Sequence, residues 1–260
     1  MTDTPRRLEG RRALITGASR GIGAAAARRL ASEGASVVIG HAPTAEMTRL
    51  AEQVVEEIRV EGGIAVALGA DLEDPQGPST LVAQARESIG PLDILVANAA
   101  AGGQRQHFSE IPVAEWDQVM AVNVRATWLL VKAALPDLKA SGRGSIITLT
   151  SVMLMTGQPR AVHYSASKAA ILGMTRALAR ELGPDGVRIN AVMPGAIRTE
   201  QEIQMSPDAE AAAQRIIPRQ SLERRGYSED LAGTFAFLAS DDSQFITGQN
   251  VCVDGGWVMY

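Results

Sequence analysis

RALITGASRGIG, residues 12–23, joins five residues that read as a buried strand to a turn holding three glycines, and an alanine-rich stretch follows directly. Residues 12–16 are short, apolar and partly β-branched, as a strand requires, whereas apolar positions recur at helical spacing over 22–33. Gly17, Gly21 and Gly23 supply what a strand-to-helix turn around a phosphate needs: a tight turn, close approach of ligand to backbone, and helix N–H groups left free to donate. Outward from this unit the alternation repeats. Further strands are expected at 36–40, 64–69, 94–97, 145–150, 188–192 and 250–253, and further helices at 45–61, 76–89, 114–140 and 161–182. Strands alternating with helices build a parallel sheet through right-handed crossovers.

The chain therefore reads as α/β: a single-domain Rossmann fold over residues 1–260, a doubly wound seven-stranded parallel sheet with helices on both faces. Two connections exceed what the alternation needs, 99–112 and 196–220, and long connections in compact domains usually carry function. The second contains a helical piece at 207–217 and is expected to act as a substrate lid. With 46% hydrophobic and 21% charged residues the composition is that of an ordinary globular protein. A net charge of −4 offers phosphate backbones no general attraction, and the basic cluster Arg6, Arg7, Arg11 and Arg12 reads as a solvated terminal face, so no nucleic-acid partner is expected. No apolar run of signal-peptide or membrane-spanning length stands out, and a cytoplasmic protein without a membrane partner is expected. One cysteine, Cys252, and three scattered histidines, His41, His107 and His163, lead to the expectation of no metal.

YSASK, residues 164–168, lies in the last long helical stretch, and a separation of four puts Tyr164 and Lys168 on one helix face. A free phenol titrates at about 10 and handles protons poorly at neutrality; a neighbouring ammonium favours the phenolate and lowers that value. The same pair also fits a lysine stem lying along a packed ring. Ser151 adds a hydroxyl at the C-terminal end of the fifth expected strand, the edge where open α/β sheets bind ligands, although a strand-end serine also bonds backbone. Asn123 falls inside a helix, where asparagine is disfavoured, so either an interhelical hydrogen bond or a site role accounts for it.

These motifs, in this order over nearly the whole chain, resemble the short-chain dehydrogenase/reductase family, whose glycine loop runs TGxxxGxG as residues 16–23 do. The resemblance implies a catalytic group of Ser151, Tyr164 and Lys168 completed by Asn123, which in the family holds a water that links the lysine to solvent. It implies a nicotinamide cofactor met by the loop residues Gly17, Ser19, Arg20, Gly21, Ile22 and Gly23. Further contacts are implied from His41, Asp71 and Asn98 at the ends of the second to fourth strands, from Tyr164 and Lys168, and from Pro194, Gly195, Ile197 and Thr199. Asp71 fits a turn former equally well, and Arg20 a surface charge. Where NAD-using members place aspartate after the second strand, this chain has Gly40 and His41, while Arg20 brings a cation to the loop; NADP(H) is the expected cofactor and NAD(H) the alternative. The family's NNAG becomes Ala97-Asn98-Ala99-Ala100, a departure at its first and last positions. Asn190 is expected to brace the active-site strands, and residues 246–256 to lie in a homotetramer interface.

The implied reaction moves a hydride between nicotinamide and a carbonyl or secondary alcohol, and the pattern most resembles 3-oxoacyl-carrier-protein reductases. Met153, Leu154, Met155, Ile203 and Met205 would then shape an apolar pocket. Lys139 and Arg180 would meet an acidic acyl carrier protein, although both also fit solvated helix charges. The alternatives are a reductase or dehydrogenase of small ketones, polyols or other secondary alcohols, and an NADP-binding sensor or scaffold without turnover. Enoyl reduction is disfavoured, because family members that reduce double bonds space the tyrosine and lysine more widely.

Overall fold

Seven short runs of β-branched and apolar residues pair side by side: β1 (Arg12–Thr16), β2 (Ser36–His41), β3 (Ile64–Gly69), β4 (Ile94–Ala97), β5 (Ser145–Leu149), β6 (Arg188–Pro194) and β9 (Asn250–Val253). In this computed structural model, which describes residues 6–205 and 207–259, they form one parallel sheet in the order β3-β2-β1-β4-β5-β6-β9. All seven expected strands are present, with ends moved by one or two residues. His41 joins β2 because it pairs with Gly69, and β6 runs to Pro194 because Met193 and Pro194 pair with Cys252 and Val253. A separate two-stranded pair, β7 (Ile197–Arg198) and β8 (Gly226–Tyr227), is too short to show in the sequence.

Helices cover both faces. On one, α1 (Gly21–Ser32), α2 (Ala45–Val60) and α10 (Glu229–Ala239) pack Leu30, Val55 and Phe235 against Ile15, Val37 and Ile39 of the sheet. On the other, α3 (Gly77–Ile89), α5 (Ala126–Ala140) and α7 (Val162–Leu182) lie beside Leu14, Val38 and Leu95, with Leu81, Leu130, Leu138 and Leu182 in the core. Sequence reading omits α10, whose stripe of Leu231, Phe235 and Leu238 is interrupted by Gly233 and by an almost continuous apolar run; it packs on α1. The short helices α4 (Val113–Met120), α6 (Met153–Thr156), α8 (Glu200–Met205) and α9 (Ala209–Ile216) belong to the connections around the site. The last of these realises the helical piece expected at 207–217, with Asp208 as its N-cap.

Two expectations need correction. The helix expected at 114–140 is α4 and α5 joined through a π-helical turn, Ala121–Arg125. Its full run Val113–Ala140 is 28 residues with a mean hydropathy of 1.2 over its most apolar window, long and apolar enough by those measures to cross a membrane, contrary to the expectation of no such run. Its apolar stripe of Leu130, Val131, Ala134 and Leu138 is taken up by the sheet. The arginine cluster is a solvated face only in part: Arg6 stays exposed beside Glu9, whereas Arg7 and Arg11 are drawn into ion pairs with the fold. Arg11 is 1% exposed, donates to the Arg143 carbonyl at 2.9 Å and pairs with Asp241. Arg7 grips the fully buried Glu33 through two bonds of 2.7 and 2.8 Å, and Arg29 holds the same carboxylate at 2.7 Å. A buried carboxylate is tolerated only when paired, so these arginines tie the N-terminal segment to α1 instead of meeting solvent.

Candidate active site

Strand order reverses between β1 and β4, so the helices that follow these strands diverge and leave a crevice at their C-terminal ends. The crevice there has a volume of about 460 Å³. Every residue expected for catalysis or cofactor contact except Asn123 borders it, from Arg20 and His41 at one end to Ser151 and Tyr164 at the other.

The glycine loop is built so that only glycine fits. Gly17 and Gly21 take φ of +62° and +59°, and a Cβ on Gly23 would lie 2.5 Å from Asn98 Nδ2 and closer still to the Gly17 carbonyl oxygen. No side chain caps α1 and no acidic residue occupies its first turn, which leaves its N-terminus to an anion. Asn98 locks the loop to β4: its Nδ2 donates to the carbonyls of Thr16 at 2.8 Å and Gly17 at 2.9 Å. Thr16 Oγ1 accepts in return from the backbone N–H of Asn98 and of Ala99, both at 3.1 Å. The alanines at 97 and 100 thus leave the brace intact.

Farther along, His41 is buried with Nδ1 2.9 Å from the Ala42 carbonyl oxygen. Asp71 accepts from the Glu73 N–H at 2.9 Å, so it is a turn former that also borders the cleft. A smaller groove of about 380 Å³ shares Ser19, Arg20 and Glu200 with the cleft and adds Arg28, Arg49, Glu46 and Glu57. Arg28 pairs with Glu57 at 2.6 Å. Arg49 is exposed on α2, and nothing in its sequence context separates it from a surface charge.

At the other end α7 presents Tyr164 and Lys168 one turn apart. Lys168 is 4% exposed; its Nζ donates to the Leu149 carbonyl at the end of β5, 2.9 Å away, and stands 5.6 Å from the centre of the Tyr164 ring. Burial pushes this ammonium from 10.5 down to about 8. The Tyr164 phenol is also moved by burial, upward, and the pulls against that come from a hydrogen bond with Ser151 and from the charge of Arg105. The expected lowering by Lys168 is therefore corrected: desolvation dominates, and the ammonium is turned to a backbone carbonyl.

Asn123 lies in the π-helical turn, 2% exposed and behind the cleft wall. Its Oδ1 accepts from the Ala101 N–H at 2.7 Å, and its Nδ2 donates to the Ala101 carbonyl at 3.0 Å and to Ser167 Oγ at 2.9 Å. Ser167 Oγ donates on to the Tyr164 carbonyl at 2.7 Å. The interhelical bonding weighed for this asparagine is what the fold uses. Asn190 braces in the same manner, donating to the Ile246 carbonyl at 2.8 Å and accepting from the Gln249 N–H at 3.0 Å.

Three residues near Tyr164 escape sequence reasoning: Arg105, Glu115 and His163. Glu115 accepts from the Gln104 N–H and, at 2.7 Å, from Gln106 Nε2, and stands 3.2 Å from the ring of the fully buried His163. Their only signal is polarity in and after a long connection. Other expected residues do not assemble. Met155 and Ile203 are exposed at 48% and 44%, Met153 and Leu154 do not border the cleft, and the side chain of Met205 lies outside the described residues. Lys139 pairs with Asp185 at 2.6 Å, and Arg180 is in the last turn of α7. Both stand where helices lead into the starts of β5 and β6, the sheet edge opposite the cleft.

Residues 17–258 match the family model described as enoyl-(acyl carrier protein) reductase. The L-rhamnose 1-dehydrogenase (NAD(P)(+)) of Azotobacter vinelandii is 40% identical over 244 residues, 94% of this chain and 94% of its own. The 3-oxoacyl-[acyl-carrier-protein] reductase of Staphylococcus aureus is 38% identical over 248 residues, 95% of this chain and 98% of its own. Among solved structures, a blue fluorescent protein from a metagenomic library in complex with NADPH superposes with a TM-score of 0.89 at 37% identity, covering 97% of this chain and 100% of that one. Sheet order, glycine cradle and relatives agree: the chain belongs to the short-chain dehydrogenase/reductase family, enzymes that act on CH–OH and C=O groups with NAD(P).

Proposed function

We propose that the protein is an NADP(H)-dependent oxidoreductase interconverting a secondary alcohol and a ketone, with Ser151, Tyr164 and Lys168 as catalytic residues and Asn123 holding the wall behind them. The observation that carries this reading is that Ser151, Tyr164 and Lys168 line the same cleft as a loop that only glycine can form. When bound, the nicotinamide supplies the site for hydride transfer. Tyr164 exchanges the proton with the substrate oxygen, and Ser151 holds that oxygen by hydrogen bond. Lys168 places a positive charge behind the phenol, fixed to β5 through the Leu149 carbonyl. The α1 N-terminus with Gly17, Ser19, Gly21, Ile22 and Gly23 receives the pyrophosphate, and Ile197 and Thr199 close over the nicotinamide side. Arg20, with Arg49 across an adjoining groove that also holds Glu46, Glu57 and Glu200, meets a 2′-phosphate, and His41 stands in the cleft where NAD-using members place aspartate.

Two substrate classes have support. Small polyhydroxy compounds fit a site to which Gln201 adds a polar group, and the rhamnose dehydrogenase is a relative of that kind. A 3-oxoacyl thioester is supported by the Staphylococcus aureus relative; the placement of Lys139 and Arg180 away from the cleft removes those two as the carrier's docking residues. Within the same reading, residues 196–220 form the substrate lid, residues 246–256 contribute to a homotetramer, and the enzyme is cytoplasmic. The test follows absorbance of NADPH with a panel of ketones, polyols and 3-oxoacyl thioesters. Tyr164→Phe is expected to lower kcat at least a thousandfold and leave NADPH affinity within about twofold. Near-normal turnover in that variant overturns the assignment, and tight NADPH binding without turnover by the parent protein points to a sensor.

A further inference from the structure

Residues 101–107 of the connection after β4 are held beside Tyr164 by contacts that the Ser151, Tyr164, Lys168 and Asn123 group does not account for. Glu115, in the first turn of α4, takes the Gln104 N–H and the Gln106 side-chain amide on one side and the imidazole of His163 on the other. His163 immediately precedes Tyr164 and is fully buried, so the clamp is anchored in the helix that carries the phenol. Gly103 presses on the same ring: it takes φ +64°, and a Cβ there would lie 2.7 Å from His163 Cδ2 and nearer still to Nε2. From the opposite side the Gln106 N–H donates to the Arg160 carbonyl at 3.2 Å, and Arg160 is the only non-glycine residue with positive φ among the described residues. Strain of that kind persists only where the surroundings enforce it.

Between the two clamped glutamines stands Arg105. It is exposed, it pairs with no carboxylate among the described residues, and its charge reaches the Tyr164 phenol. A guanidinium presents a planar fork of donors that matches a carboxylate, and holding its backbone in advance reduces the entropy lost on binding.

We propose that Glu115 and His163 are positioning residues that clamp residues 101–107 to the catalytic helix, and that the Arg105 they hold beside Tyr164 is a specificity-determining residue selecting substrates with a carboxylate near the reacting hydroxyl or ketone. This rests on the alcohol–ketone reading above and narrows it to hydroxy acids and their oxo acids. The carboxylate takes no part in the bond changes. On oxidation the hydride leaves carbon for the NADP+ of that reading, the hydroxyl proton passes to the phenolate form of Tyr164, which becomes the phenol, and the C–O single bond becomes a carbonyl.

The test uses matched pairs that differ in the carboxylate: D-gluconate against D-glucitol in oxidation, and acetoacetate against ethyl acetoacetate in reduction. The parent enzyme is expected to favour the acid of the better pair at least tenfold in kcat/KM, and Arg105→Gln to reduce that ratio at least tenfold, mostly through KM. Arg105→Lys is expected to recover part of the ratio. Glu115→Gln is expected to lower the ratio as well and, in the free protein, to speed amide hydrogen exchange over residues 101–107, which Arg105→Gln does not. Preference for the neutral members by the parent, or an acid preference that survives Arg105→Gln, overturns the carboxylate assignment alone. Unchanged exchange in Glu115→Gln overturns the clamp. Turnover of neither pair while another ketone or alcohol of the panel is converted overturns this inference alone, whereas no turnover across the whole panel, with NADPH bound, removes the oxidoreductase reading and this inference with it.

Discussion

Lys168 holds an ammonium where solvation is almost lost, 4% exposed with one carbonyl oxygen 2.9 Å away. Its value of about 8 in the folded chain lies below the 10.5 of an exposed lysine, so between those limits the unfolded chain binds the proton and the folded one does not. Stability from this group therefore rises with pH across that window, and the burial cost is felt in full below about pH 8. Lys168→Met removes the dependence. Denaturant unfolding of parent and variant is expected to show the parent gaining on the order of 3 kcal/mol relative to the variant between pH 7 and pH 11. Curves that stay parallel would mean that Lys168 is better solvated than its surroundings imply. The position of this side chain on the face of Tyr164 follows from a spacing of four in the sequence. Its choice of partner does not, because Leu149 is remote in the chain and meets it only when α7 lies across β5.

At the level of elements, the β1–loop–α1 unit is the most readable part of the molecule, since strand, turn and helix are contiguous and each has local chemistry. Gly23 shows how tight the result is, facing the Gly17 carbonyl oxygen and Asn98 Nδ2 with no room for a methyl group. Backbone cannot yield there as a flexible side chain would. Gly23→Ala is expected to weaken NADPH binding at least tenfold by fluorescence titration, and a variant that binds like the parent would refute the cradle. The α4–α5 run is the counterpart. Apolar spacing revealed a long helix, but the π-helical turn that points Asn123 at Ala101 and Ser167 comes from packing, and such turns recur at functional sites. The 99–112 connection was legible as important from its length alone. That Glu115 and His163 would clamp it was not, because 48 positions separate them and neither has a periodic or turn-forming signature.

Across the whole molecule, two apolar layers hold the sheet, and α10 closes the one that contains α1. Phe235 is the largest wholly buried apolar side chain in that layer. Phe235→Ala is expected to cost about 3–5 kcal/mol in denaturant unfolding, because it removes transfer energy and leaves a cavity between α10 and α1. A loss below about 1 kcal/mol would mean that the layer collapses onto the gap. What the sequence by itself determined is what short-range physics encodes: the seven strands, the crossover helices, the phosphate turn, and the spacing that puts Tyr164 and Lys168 on one face. Tertiary structure alone decided which polar groups meet. It turned Arg7 and Arg11 into an ion-pair brace on Glu33 and Asp241, sent Lys139 and Arg180 to the far edge, and tied the segment that carries Arg105 through Glu115 to the helix of Tyr164. The reason is physical: periodicity and turn chemistry act within a few residues, whereas burial and charge contacts join segments dozens of positions apart and exist only once both layers are packed.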